Sequence, residues 1–451
     1  MTYTEFKDKK IVVVGMARSG IGAARTLQRF GARVTATDSR QQDALPDLSE
    51  LTAAGVELAL GGHPDALLDG TSLIVISPGV PYKLPFLEKA RGRGISVISE
   101  LELACRLSDS PFVAITGTNG KSTTTTLVAE MLKAAGLNIF LGGNIGNALT
   151  DNPDDLRGRD FVVAEVSSFQ LETIESFRPK VSAILNITPD HLDRYADMAE
   201  YAWAKARIFE NQRKDDFLVL NADDQPTWRL RERAACKVVP FSRKRYVQRG
   251  VFVDSGRLVS NLSGSREVIC LVSDIRIIGA HNLENALAAA AISIAAGAKI
   301  DAVARVLREF AGLPHRLELV GTIGGVDFIN DSKGTNIGAV EKSLEGFTSP
   351  VVLIAGGLGK GTDFTPLRPL IQEKVKALVL IGKSAKEMAV AFDGLTPIHY
   401  ADGMDEAVKT AAGLAEPGET VLLSPACASF DMFKNFEDRG EKFAEAVGKL
   451  K

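Results

Sequence analysis

The stretch Thr116-Gly117-Thr118-Asn119-Gly120-Lys121-Ser122-Thr123 constrains the fold of this chain more than any other. It follows an apolar run, Phe112-Val113-Ala114-Ile115, and precedes a helix-like segment, Leu127-Val128-Ala129-Glu130-Met131-Leu132. A strand, a glycine loop and a helix in that order make a phosphate cradle. Glycines let backbone N–H groups turn inward, and the helix N-terminus adds positive potential. Lys121 is placed to reach the β- and γ-phosphates of a nucleoside triphosphate, and Ser122 to ligate Mg²⁺. The common P-loop is G-x-x-x-x-G-K-[ST]; here Gly117 stands closer to Gly120, so the loop is a variant. A plain Gly-rich turn with an incidental lysine is the competing reading.

A chain of 451 residues exceeds one hydrophobic core and implies about two to four domains. A net charge of −3 argues against a general nucleic-acid binder, so an anionic ligand must be held by local loops and a few cations. Cys105, Cys236, Cys270 and Cys427 show no CxxC spacing and read as reduced thiols of a cytoplasmic protein without a zinc site. The N-terminal residues carry no apolar signal core. The longest uncharged apolar run, Ala286 to Ala298, is too short to span a bilayer and reads as a buried helix.

Taken in order, the chain opens with a βαβ pattern. Strand Ile11–Val14 leads into Gly15-Met16-Ala17-Arg18-Ser19-Gly20-Ile21-Gly22, a helix is expected from Ala23 to Phe30, and strand Arg33–Thr37 ends at Asp38. Ala17 replaces the middle glycine of G-x-G-x-x-G, which weakens a dinucleotide reading; a nucleotide-sugar or other phosphate ligand fits better, and a structural turn remains open. Strand Leu73–Ser77 runs into Pro78-Gly79, a strand-end loop of the kind that binds ligands or simply turns. A helix from Glu100 to Leu107 closes this domain near Asp109-Ser110-Pro111.

After the phosphate loop come a second glycine loop, Gly142–Gly146, and an apolar strand, Phe161–Ala164, that ends in Glu165. An acid there is costly to bury unless it is paired or binds metal, and the nearby Mg²⁺-nucleotide loop favours metal. His191 follows the strand Val181–Ile187 beside two aspartates, with structural and ligand roles equally open. Composition alone makes Lys205 a solvated helix lysine. Residues 243–276 read as a small antiparallel excursion. Asn282 and Asn285 share a helix face, for capping or for nucleotide contact. A third domain begins near Leu313, with strands at 326–330, 351–355, 377–381 and 421–424, each followed by a polar, Gly- or Pro-containing loop.

Taken together, these motifs resemble the Mur ligase superfamily, the ATP-dependent acid–amino-acid ligases of peptidoglycan synthesis. The resemblance rests on Gly117–Thr123, Glu165–Gln170, Asn186 through Asp190-His191, His281-Asn282-x-x-Asn285, His315-Arg316 and Asp331–Asn336 in that order, and on the long stretch Ser424–Gly440. It implies an α/β chain of three domains: an N-terminal Rossmann-like domain for a UDP moiety (1–109), a central P-loop ATPase-like domain (110–312) and a C-terminal Rossmann-like domain for an amino acid (313–451). Ala17, Arg18, Asp38, Ser39, Arg40, Pro78 and Gly79 match UDP contacts, and Asn144 matches a contact to the UDP-muramoyl substrate. Gly117, Thr118, Asn119, Gly120, Lys121, Ser122 and Thr123, with Asn282, Arg316, Asp331 and Lys333, match the ATP site. Ser122 and Glu165 match a first Mg²⁺ site. His191 and Lys205 match a second, where the family lysine is carbamylated. Lys121, Glu165, His191 and Lys205 are thus the implied catalytic set. Thr335, Lys360, Ser429 and Phe436 match a D-glutamate pocket. Leu358 stands where the family pattern has an acid, so no polar role is expected of its side chain.

The implied substrates are UDP-N-acetylmuramoyl-L-alanine and D-glutamate, joined through an acyl phosphate by a cytoplasmic monomer without membrane insertion. ATP and amino acid bind different domains, so closure is expected. A non-catalytic nucleotide-sugar binder and a sibling amide ligase are the alternatives.

Overall fold

The computed structural model describes residues 5–191, 194–277, 279–359 and 361–450. The chain forms two compact units, Met1–Asp274 with Glu284–Arg308, and Ile275–Leu283 with Glu309–Lys451.

The first unit holds two sheets. Strands β1 (Lys10–Val14), β2 (Arg33–Asp38), β3 (Glu57–Leu60), β4 (Leu73–Ile76) and β5 (Ser96–Ser99) form a parallel sheet in the order β3-β2-β1-β4-β5. Ile11 to Val14 are fully buried, which is why this central strand is an unbroken apolar run rather than an alternating one. The helix after β1 spans Arg18–Arg29, so it begins earlier than the expected Ala23. Its glycines serve close packing inside the helix: a Cβ on Gly20 would lie 1.8 Å from the Gly15 carbonyl oxygen, and one on Gly22 would lie 2.6 Å from Asp151 Oδ1.

The second sheet contains β6 (Phe112–Thr116), β7 (Ile139–Gly143), β8 (Phe161–Glu165), β9 (Val181–Ile184), β10 (Phe217–Asn221), β11 (Lys237–Ser242), β12 (Val251–Asp254), β13 (Arg257–Ser260) and β14 (Glu267–Leu271). Its order is β14-β13-β12-β11-β10-β9-β6-β8-β7. The expected excursion at 243–276 is an antiparallel meander, β12–β14, that extends this parallel sheet at one edge. The helix Ala280–Ala295 carries the alanine-rich run, and Ala286 to Ile292 are fully buried.

Buried acids join the two sheets. Glu102 is fully buried on the helix Glu100–Leu107, and its carboxylate accepts from the backbone N–H groups of Glu175, Ser176 and Phe177 and from Ser176 Oγ. Glu100 accepts from Thr150 N at 2.8 Å and from Thr150 Oγ1 at 3.0 Å.

The second unit contains β15 (Glu318–Ile323), β16 (Val326–Asn330), β17 (Val351–Gly356), β18 (Val375–Ile381), β19 (Ile398–Tyr400) and β20 (Thr420–Leu423), in the order β15-β16-β20-β17-β18-β19. All neighbours are parallel except β15 and β16. The edge strands β15 and β19 escape a sequence reading because β15 is half-exposed and bulged and β19 is very short. Apolar clusters cover both faces of the sheet. No helix among the described residues is long and apolar enough to cross a membrane. All four cysteines are free.

Candidate active site

The phosphate loop leaves the carboxyl end of β6, which lies between β9 and β8 inside the second sheet, and opens the helix Lys121–Ala134. Gly117 has φ +156° and Gly120 has φ +82°, backbone states that L side chains rarely adopt. A Cβ on Gly120 would also fall 2.2 Å from Asn285 Oδ1. The neighbouring strand end fixes the loop. Thr118 N–H donates to the Asn186 carbonyl (3.0 Å), Asn119 N–H donates to Asn186 Oδ1 (2.8 Å), and Asn186 Nδ2 donates back to the Asn119 carbonyl (3.1 Å). Thr118 Oγ1 meets Thr188 and the Tyr201 hydroxyl. The bracing roles of Asn186 and Tyr201 were not visible in the sequence. The hints for Asn186 were its strand-end position and its place at the head of the motif that runs to His191.

Glu165 ends β8 directly beside the loop strand, in register with Ile115. It is 1% exposed; Oε1 accepts from Asn144 Nδ2 at 2.7 Å, and Oε2 is buried with no hydrogen-bond partner among the described residues. A carboxylate oxygen buried without a donor is costly, and a cation answers that cost. Ser122 is buried in the first turn of the loop helix. The hard oxygen donors of Ser122 and Glu165 therefore fit Mg²⁺.

Lys121 and Lys205 converge on one atom. Both Nζ groups donate to the Gly117 carbonyl, at 3.0 Å and 2.9 Å, and Lys121 also donates to the Thr118 carbonyl at 2.8 Å. Lys205 is 2% exposed, which corrects the solvated reading. The helix Met198–Ala206 turns it inward, onto a loop 88 residues earlier, with Nζ 4.4 Å from the Tyr201 ring centre. Burial, and then the charge of Lys121, push the Lys205 ammonium well below the ordinary lysine range, against the opposing pull of Asp190. No carboxylate pairs with Lys205 among the described residues. Its neutral amine cannot serve as an anionic ligand, whereas a carbamate can. His191 sits at φ +55° with its ring 4.9 Å from that of Phe169. The described residues hold no cluster of three or more His, Cys, Asp or Glu that could hold a metal ion.

In the first sheet, Ala17 stands before the helix, and Arg18, Ser39 and Arg40 are exposed around the strand ends. Asp38 is buried; its Oδ2 accepts from Met16 N–H at 2.7 Å, and Arg40 binds both oxygens. Burial raises its pKa, but the Arg40 and Met16 hydrogen bonds outweigh it and hold the carboxyl well below the usual range. Asp38 thus pins the glycine loop. Pro78 and Gly79 follow β4, next to that loop, since Ser77 Oγ donates to the Gly15 carbonyl at 2.7 Å.

The remaining expected residues lie in the second unit. Asp331 is buried, and its Oδ2 accepts from Ser343 Oγ and Ser424 Oγ, both at 2.7 Å. Burial pushes its carboxyl up to about 6. Lys333 Nζ stands 3.7 Å from the Phe436 ring centre. Arg439, fully buried, donates to Ser332 Oγ, the Ser332 carbonyl and the Cys427 carbonyl, and so ties the 332 and 427 loops together. The sequence showed Arg439 only as part of the Ser424–Gly440 stretch, without this role, because its partner Ser332 is remote along the chain. Ser429 is buried, Thr335 is half-buried, and Asn282 and Arg316 belong to this unit. Lys360 lies outside the described residues. Leu358 works through its backbone, exchanging two hydrogen bonds with Ala428.

Three family models match in succession: Mur ligase MurD-like, N-terminal domain (residues 9–99), Mur ligase middle domain (115–293) and Mur ligase, glutamate ligase domain (315–427). The chain is 50% identical over 451 residues to the UDP-N-acetylmuramoylalanine–D-glutamate ligase of Pelotomaculum thermopropionicum, with 99% of each chain covered. It is 46% identical over 447 residues to the ligase of the same name from Trichlorobacter lovleyi, covering 99% of this chain and 100% of the relative. Among solved structures, it shares its fold with a pseudomurein peptide ligase type C from Methanothermus fervidus (TM-score 0.60, 21% identity, covering 98% of this chain and 100% of that one). The UDP-N-acetylmuramate-alanine ligase MurC from Thermotoga maritima matches similarly (TM-score 0.58, 21% identity, covering 98% and 100%).

Proposed function

Because the chain belongs to the Mur ligase family, we propose that it joins D-glutamate to UDP-N-acetylmuramoyl-L-alanine at the expense of ATP, as a cytoplasmic monomer in peptidoglycan precursor synthesis. The substrate assignment is carried by near-complete coverage of relatives with that name at 44–50% identity. The proposed domains are 1–109 for UDP, 110–312 for ATP and 313–451 for the amino acid.

The chemistry follows from the groups present. A carboxylate and an amine do not condense in water without activation. An oxygen of the L-alanyl carboxylate attacks the γ-phosphorus, ADP leaves, and an acyl phosphate forms. The D-glutamate amine then attacks the acyl carbon, its nitrogen gives up a proton, and phosphate departs with the C–O electron pair. The first step brings two anions together, so positive charge fixed in advance dominates the barrier. Lys121 and the N–H groups of the loop supply it. Ser122 and Glu165 would hold one Mg²⁺, and His191 with Lys205 as its carbamate would hold a second; bound there, the ions neutralise phosphate charge. Asn144, which orients Glu165, is proposed to contact the muramoyl substrate. Ala17, Arg18, Asp38, Ser39, Arg40, Pro78 and Gly79 are proposed to frame the UDP site. Asn282, Arg316, Asp331 and Lys333 are proposed to serve ATP, and Thr335, Lys360, Ser429 and Phe436 to serve D-glutamate.

The deciding experiment is phosphate release with UDP-N-acetylmuramoyl-L-alanine across a panel of D- and L-amino acids. Turnover confined to D-glutamate is expected. Preference for another amino acid refutes the substrate assignment, and ATP binding without ADP formation refutes catalysis.

A further inference from the structure

Arg194 has a role that none of the site residues above accounts for. A guanidinium presents five N–H donors in a planar fork. Here Nη1 donates to the Pro78 carbonyl (3.1 Å), and Nη2 donates to the Val80 carbonyl (3.2 Å) and to Glu172 Oε2 (2.6 Å). The fork lies 4.0 Å from the centre of the Phe169 ring. On the catalytic side, Arg194 N–H donates to the His191 carbonyl at 3.0 Å, closing the turn in which His191 has positive φ, while Phe169 packs against the His191 ring. On the other side, Val80 N–H donates to the Ser77 carbonyl, and Ser77 Oγ reaches the Gly15 carbonyl. One side chain thus joins the His191 turn to the Pro78–Val80 turn and, through it, to the N-terminal glycine loop.

An arginine this near a diphosphate site invites a phosphate-binding reading. The Glu172 carboxylate already meets its charge, and both side chains are largely buried, at 17% and 10% exposure. Two inward-facing carbonyls take the Nη groups and a stacked ring covers one face, while Nε is buried away from solvent without a hydrogen-bond partner among the described residues. Lysine, with a compact ammonium, cannot bridge two carbonyls and a carboxylate in one plane.

Building on the function proposed above, we propose that Arg194 is a positioning residue. It holds the UDP-side turn and the His191 turn in one fixed relation, so that substrate seated at the first loop presents its carboxylate to the catalytic groups. The test uses the full chain with Arg194→Lys, Arg194→Ala and Glu172→Gln, read by amide hydrogen exchange and by steady-state kinetics. For Arg194→Lys, exchange is expected to rise together at Gly79–Tyr82 and at the amides around Thr188–His191. The KM for the UDP substrate rises and kcat falls on the order of 10²-fold, the scale of a misplacement of about 1 Å. The KM for ATP stays, because Asn186 and Thr118 hold the phosphate loop independently. Glu172→Gln keeps both carbonyl contacts and gives a smaller effect. Exchange rising at one turn only, or an unchanged KM for the UDP substrate in a folded Arg194→Lys protein, overturns the proposal. If Arg194→Ala does not fold, Arg194→Lys and Glu172→Gln decide. If wild-type protein turns over no UDP-muramoyl substrate, the functional reading fails instead, and paired or unpaired exchange alone decides for or against the brace.

Discussion

Lys205 offers the sharpest test of the catalytic chemistry. Carbamylation needs a neutral amine: the nitrogen attacks CO₂, a C–N bond forms and a proton leaves. An ordinary lysine with a pKa of about 10.4 is only about 0.4% neutral near pH 8, so full depression of its pKa multiplies the reactive fraction by at most about 250. Burial at 2% exposure, and Lys121 on the same Gly117 oxygen, both act in that direction. Removing the resulting anion with Lys205→Ala should cost on the order of 10²–10³-fold in turnover, the scale of losing one charge-stabilising group. Phosphate release is the assay, with short carboxylic acids added to the variant as a stand-in for the carbamate and isotopically labelled bicarbonate added to wild type for NMR. Partial rescue and a labelled carbamyl carbon are expected. Full activity in Lys205→Arg, which keeps the cation and cannot form this carbamate, would refute the reasoning. So would the absence of label in active wild type. The unmodified amine also has a stability signature. Its folded pKa lies below the unfolded one, so the unfolded chain binds more protons, and stability should rise with pH from the folded value towards about 10.4.

Lys121→Ala should lower turnover on the order of 10³-fold, and near-normal phosphate release would sink the clamping role. Gly120→Ala should cost roughly 1–2 kcal/mol in strain from its left-handed backbone and, because the new Cβ meets Asn285, should weaken ATP binding by calorimetry; unchanged affinity would deny the loop its fixed geometry. Glu100 and Glu102 should titrate with opposite signs in urea unfolding followed across pH. Burial raises Glu100 to about 7, so its destabilising contribution grows as pH rises from about 4.3 to about 7 and disappears in Glu100→Gln. Burial also raises Glu102, but its bonds to Ser176, Glu175 and Arg106 outweigh it. Its stabilisation is present above the unfolded value of about 4.3 and lost as pH falls through the folded value, a loss Glu102→Gln should not show.

The sequence by itself determined the phosphate loop, because strand, glycines, lysine and hydroxyl are contiguous and each follows from local backbone physics. It also flagged Glu165 as a metal candidate, since an acid ending an apolar strand is expensive wherever that strand packs, and the structure gives it an unpartnered buried oxygen. Asp38 showed as a strand end, though not as the anchor of Met16 N–H. Tertiary structure alone decided what the remaining side chains face. Lys205 looks solvated on its own helix and becomes buried only when that helix packs on a loop from far earlier in the chain. Arg194 and Arg439 became braces in the same way, gathering carbonyls from segments 114 and 107 residues away. The expected helix start at Ala23 was late because Gly20 and Gly22 are demanded by close neighbours rather than by a turn. Periodicity reports the burial of a face. Which distant atoms fill that face is set by packing, and with it whether a cation stays charged, turns nucleophilic or serves as a strut.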